Sequence, residues 1–161
     1  MIDTTFQNAV DEIKQSDLKL GVTVQGIYAS FKMWSPTAIN VQLLLFPNSI
    51  SAGTKNANGE WDQQPIEPPS DHIIQMEKDE NGFWFLQKVL FQNNKYYKYR
   101  ITHSQNIIYD VCDIWSFSAS PDSVASQIID INDQSYIIEP NYINPFGSNY
   151  HQKRYFESII Y

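Results

Sequence analysis

Seven short runs of strand-forming residues, separated by turn chemistry, most constrain what this chain can fold into. The runs are Ile27 to Trp34, Asn40 to Phe46, Ile73 to Lys78, Phe83 to Phe91, Tyr96 to His103, Ile107 to Cys112 and Ala125 to Ile131. Ser35–Pro36–Thr37, Glu80–Asn81–Gly82, Asn93–Asn94 and Ser104–Gln105–Asn106 punctuate them. Short strands with turns every 8–12 residues are the pattern of an antiparallel sandwich. Nothing between the runs is long and periodic enough for crossover helices, which argues against a parallel α/β sheet. The expected fold is therefore all-β, an antiparallel immunoglobulin-like β-sandwich.

Alternation assigns faces within the runs. In Phe31–Lys32–Met33–Trp34, Phe31 and Met33 share one face and Lys32 and Trp34 the other. Pro36 ends that strand, because it cannot donate to a ladder. Asn81–Gly82 supplies the positive φ of a tight hairpin. Two segments break the pattern. Pro47 to Ser70 is polar and rich in Pro, Gly and Asn, and reads as a long loop at the sandwich edge. Glu139 to Arg154 carries Pro140, Pro145 and Gly147 and reads as a linker, followed by the strand-like run Phe156 to Tyr161. At the other end, Phe6, Val10 and Ile13 stand at helical spacing within Thr4 to Gln15, with Asp3 or Thr4 as cap. These features predict a helical extension over 1–19, a sandwich over 20–134 and a linker with a terminal strand over 135–161. The apolar strand at the end reads as cut from a larger fold; such a tail is expected to lie across its own sandwich or to pair with a second copy.

At 161 residues the chain has room for one core and is too short for a closed β/α barrel, which needs roughly 200 or more. Its net charge of −7, with only eleven scattered basic residues, disfavours nucleic acid and anionic membrane surfaces as partners. No apolar stretch approaches a membrane span, and Met1 opens no signal-peptide pattern, so a cytoplasmic protein is expected. Cys112 stands alone and reads as a small buried hydrophobe.

The segment Ser30–Phe31–Lys32–Met33–Trp34–Ser35–Pro36–Thr37–Ala38, followed by Val41, Leu43 and Leu45, resembles the opening of the sandwich domain of type I pullulanases. The resemblance continues in order through Asn81–Gly82–Phe83–Trp84, Tyr96 to Ile101, Asp113–Ile114–Trp115, Ser126 to Ile131 and Glu157 to Tyr161. Departures are Ser35 for Ala, Ile114 for Pro, and a shortened loop before Ser126. It implies carbohydrate-binding module 48, the isoamylase N-terminal type, within glycoside hydrolase family 13. The implied function is a non-catalytic accessory domain that packs on its own catalytic barrel, where α-1,6 bonds are hydrolysed, and assists α-glucan binding, with no cofactor. Two other readings stay open: a free-standing starch- or glycogen-binding module, and an immunoglobulin-like protein-interaction domain.

Glycoside hydrolysis needs two facing carboxyl groups, ~5–5.5 Å apart in retaining enzymes. Nothing here resembles the family's catalytic signatures, so no catalytic residue is assigned. Asp130, Asn132 and Asp133 suggest half a calcium loop but lack the glycine and distal glutamate of an EF-hand, and His72, His103 and His151 are not spaced for zinc, so no metal site is assigned either. In the family, glycan binding uses two tryptophans and a lysine. Lys98 falls where that lysine sits; the tryptophans expected near Ser49 and Ile107 are missing, and Trp61 in the long loop is the candidate substitute. Trp34, Trp84 and Trp115 are expected to be buried, in the sandwich or against the barrel.

Overall fold

In the computed structural model, which describes Thr4, Gln7, Asn8, Val10, Asp11, residues 19–91 and residues 93–133, strands follow one another along almost the whole described chain. They are β1 (Gly21–Gln25), β2 (Tyr28–Trp34), β3 (Asn40–Phe46), β4 (Thr54–Lys55), β5 (Trp61–Gln63), β6 (Ile73–Gln75), β7 (Glu77–Lys78), β8 (Phe83–Leu90), β9 (Tyr96–Thr102), β10 (Ile108–Val111) and β11 (Ser126–Gln127). One sheet has the order β1-β2-β8-β7; the second runs β10-β9-β3-β6, with β11 also on β9, and β4 and β5 form a separate pair. All pairings are antiparallel. The expected sandwich is the observed fold.

The period of two builds the core. On β3, Val41, Leu43 and Leu45 face inward, opposite Ile101, Tyr99 and Tyr97 of β9. Phe31 and Trp84 come to the same cluster from the other sheet. Phe31 meets Tyr97 edge-on at 4.9 Å between ring centroids, and Tyr97 meets Tyr99 at 5.6 Å, both favourable aromatic geometries.

Three features depart from the expected elements. Strand β1 precedes the first expected run; it pairs with β2 across a two-residue turn in which Gly26 takes φ +63 and Ile27, read as strand, is exposed. The run Ile73 to Lys78 divides, β6 joining one sheet and β7 the other. At the crossing Met76 is buried and its N–H donates to the Val41 carbonyl at 3.0 Å, as at a sandwich corner where a strand changes sheets. The last run keeps only Ser126–Gln127 as strand. The Asn81–Gly82 turn forms as expected: Gly82 sits at φ +87, and a β-carbon there would lie 2.7 Å from Pro36 Cα and Cβ.

At the N-terminal end, Thr4, Gln7, Asn8, Val10 and Asp11 are helical; the rest of the expected helix lies outside the described residues. The chain divides into residues 1–130 and 131–161. The expected linker and terminal strand, and with them the tail's expected pairing, lie outside the described residues.

Candidate functional site

The apolar run Leu43–Leu44–Leu45–Phe46 is buried throughout, so both faces of β3 must be covered. Leu44 and Phe46 point away from the sandwich core and form a second cluster with Ala52 and Ala125, flanked by Ile73 and Tyr96. Leaving two such side chains in water would cost roughly 1.5–3 kcal/mol each. The long connection expected at the sandwich edge instead lies on this outer face, with Ala52 seated on it. Within that connection, β4 and β5 form a hairpin. Asn56 holds its tip: its Oδ1 accepts from the N–H groups of Asn58 at 2.9 Å and Glu60 at 3.1 Å, and Gly59 takes φ +81.

Two cations on the same outward face of β9 engage this connection. Arg100 binds Glu67 through Nη1 and, at 2.8 Å, through Nη2, and it also reaches Asp110 at 2.8 and 2.9 Å. Hydrogen bonding from Arg100 holds the Glu67 carboxyl below its ordinary value. Lys98, two residues earlier, is 2% exposed, and its Nζ donates to the Ala52 carbonyl. Burial lowers the Lys98 pKa, against the raising effect of the charges on Asp110 and Asp122.

Trp61 is 40% exposed. The Lys98 ammonium lies 5.7 Å from the centroid of its ring and 5.7 Å from that of Phe46, and Lys55 Nζ lies 4.7 Å from the Trp61 ring. Gly53 makes room for the indole: at φ +94, a β-carbon there would stand 2.8 Å from Trp61 Cζ3. The structure therefore brings Lys98 and Trp61 together, with the indole open to solvent and the lysine beneath the loop. Beside them runs an open groove of about 400 Å³ lined by Ser49, Thr54, Lys55, Asn56, Pro121 and Asp122. Asp122 joins the hairpin to the β10–β11 connection, accepting from the Lys55 N–H at 2.7 Å and the Ser120 hydroxyl at 2.6 Å. Burial works to raise its pKa, but these hydrogen bonds prevail and lower it. The sequence reading missed Lys55, Asn56 and Asp122; the turn chemistry of Asn56–Ala57–Asn58–Gly59 was the available signal.

A buried acid organises another part of the surface. Asp113 Oδ2 accepts from Tyr97 Oη at 2.7 Å and Tyr99 Oη at 3.2 Å, and Oδ1 accepts from the Trp115 N–H at 2.9 Å. The Asp113 N–H donates to Ser126 Oγ at 2.7 Å, which also lies 3.0 Å from Cys112 Sγ. Burial raises the Asp113 carboxyl above its ordinary value, against the hydrogen bonds it accepts. Burial foremost also pushes both phenols well up. This turn presents Ile114, Trp115 and Phe117 to solvent at 89%, 53% and 62% exposure, so Trp115 does not enter the sandwich core, whereas Trp84 does. Gly21 lies against the turn, where a β-carbon would be 2.8 Å from the Trp115 carbonyl oxygen.

His72 closes a 3-10 turn before β6, His103 precedes another after β9, and His151 lies outside the described residues. Among the described residues no three His, Cys, Asp or Glu side chains converge as a metal site.

Residues 19–116 match the profile of a family described as carbohydrate-binding module 48 (isoamylase N-terminal domain). No curated protein sequence matches the chain. Among solved structures, the fold is similar to part of a pullulanase from Bacillus acidopullulyticus, at 28% identity and a TM-score of 0.50 over 71% of this chain and 12% of that one. It is similar to part of a mutant pullulanase from Paenibacillus barengoltzii complexed with maltotetraose, at 19% identity and a TM-score of 0.54 over 78% of this chain and 17% of that one. The maltotriose complex of PulA from Klebsiella pneumoniae matches at 23% identity with a TM-score of 0.52, over 73% of this chain and 11% of that one. The chain thus spans only a small part of the length of these proteins.

Proposed function

The chain belongs to the carbohydrate-binding module 48 family, and from that premise we propose that it serves as the non-catalytic sandwich domain of a longer, pullulanase-like α-glucan-debranching enzyme. Its role in this reading is to pack on the catalytic domain and to offer α-glucan a weak contact. The observation that carries the glycan part is the exposed Trp61 indole, fixed on the covered outer face of the sandwich beside an open groove whose rim includes Ser49, Asn56 and Asp122. A flat aromatic face rimmed by hydrogen-bonding groups suits a pyranose ring, which is apolar on its faces and hydroxylated at its edge.

Hydrolysis belongs to the catalytic domain in this reading. Incubated with pullulan or glycogen, the 161-residue chain is expected to release no reducing sugar. Turnover that persists through repurification of the chain would overturn this assignment.

The face formed by Ile114, Trp115 and Phe117 is assigned to the catalytic domain as partner. Contiguous exposed apolar side chains of this kind mark interaction surfaces, and most of the length of the similar pullulanases lies outside the part this chain matches. In the longer enzyme, Ile114→Asp with Phe117→Asp is expected to lower the melting temperature of the catalytic unit by several degrees. In the isolated chain both side chains already face water, and the same pair should change stability by about 0.5 kcal/mol or less. An enzyme whose melting is untouched by the pair would contradict the assignment.

A further inference from the structure

Lys98 sits too deep to meet a ligand, yet it grips the peptide on which the exposed indole rests. Its ammonium donates to the carbonyl of Ala52, and the next residue is Gly53, whose missing β-carbon lets the Trp61 ring come in. We propose that Lys98 is a positioning residue for glycan binding: it pins the Ala52–Gly53 peptide to the outer face of the sandwich so that Trp61 stays presented to an α-glucan, and it does not itself touch the sugar. The inference rests on the glycan reading of Trp61 given above.

Three observations carry it. Lys98 is 2% exposed, so direct contact with a sugar requires the covering loop to leave. Its charge is spread between the Ala52 carbonyl and the faces of Phe46 and Trp61, each ring centroid 5.7 Å away. A buried ammonium must be compensated in place, so the loop and the lysine hold each other. Finally, Arg100 repeats the device on the same strand face, fastening Glu67 in the returning arm of the connection while Lys98 fastens Ala52 in the outgoing arm. Trp61 lies between the two tethers.

The test compares Lys98→Met, Lys98→Arg and Trp61→Ala in the 161-residue chain, using the indole N–H resonances, amide exchange over residues 50–66 and titration with maltoheptaose. The Trp61 resonance is assigned from Trp61→Phe. In Lys98→Met, the Trp61 resonance is expected to move while those of Trp34, Trp84 and Trp115 stay, which separates local release from unfolding. Amide exchange over 50–66 is expected to quicken and glycan affinity to fall about tenfold. Lys98→Arg, which keeps a donor for the Ala52 carbonyl, should recover part of the parent Trp61 signal. Loss of affinity in Lys98→Met with the Trp61 resonance and loop exchange unchanged would mean direct sugar contact and overturn the proposal, as would a loop and an affinity that both stay as in the parent. If the parent and Trp61→Ala bind maltoheptaose alike, the glycan reading fails, whereas the pin is still read from the resonance and the exchange.

Discussion

Asp113→Ala is expected to lower the unfolding free energy by about 3–5 kcal/mol, a large fraction of the roughly 5–15 kcal/mol that a domain of ordinary size possesses. The carboxylate accepts from two buried tyrosine hydroxyls and from the Trp115 N–H. Tyr97 and Tyr99 are 0% and 1% exposed, so water cannot replace the lost acceptor. Each orphaned donor costs roughly 1–3 kcal/mol, and the space left by the carboxyl adds to it. Urea unfolding measures the loss directly, through a lower midpoint at unchanged slope. A change below about 1 kcal/mol would mean that Asp113 does not organise this end of the sandwich.

The pH dependence has a definite sign. Burial raises the folded-state pKa of Asp113 above the ordinary value of 3.8. Protonation therefore favours the folded state, and the contribution is fully present below the unfolded pKa and lost as pH rises through the raised folded value. The amide introduced by Asp113→Asn does not titrate, so the deficit of that variant relative to the parent should be larger at acid pH than at neutral pH.

Much of the sandwich was legible because its strands are amphipathic and its turns carry their own chemistry. Asn40 to Phe46 forms β3 with the expected bounds, and Asn81–Gly82 turns where the positive φ was needed. The division of Ile73 to Lys78 was not legible, since a period of two continues unbroken through a change of sheet and only the partners of Val41 and Phe85 reveal it. The covering of the outer face had a signal that went unread. Four consecutive apolar residues from Leu43 to Phe46 are too many for a strand with one wet face. Alternation on β9 opposes Lys98 to Tyr97 and Tyr99, but it cannot say that Ala52 and Gly53 will lie on top of that lysine. For the same reason the two candidate site residues were named without the geometry that separates their roles, one open to solvent and one beneath the loop. Asp113 was quoted in the family resemblance, yet its partners stand 14 and 16 residues away along the chain, and no local pattern joins them.

Titrating maltoheptaose into the parent chain and into Trp61→Ala tests whether this sandwich offers α-glucan a single aromatic contact on its covered outer face. One exposed indole beside an open groove predicts a Kd of about 1 mM or weaker, equivalent to roughly 4 kcal/mol of binding free energy. Trp61→Ala is expected to weaken binding at least about tenfold, with unchanged indole N–H resonances of Trp34, Trp84 and Trp115 showing that the sandwich stays folded although the ring's packing on Gly53 and Lys98 is lost. Chemical-shift changes that saturate in the parent, centre on residues 49–63 and vanish in Trp61→Ala are the predicted result. Binding of undiminished strength in Trp61→Ala, or no binding by the parent at tens of millimolar glycan, would mean that Trp61 is not a glycan contact.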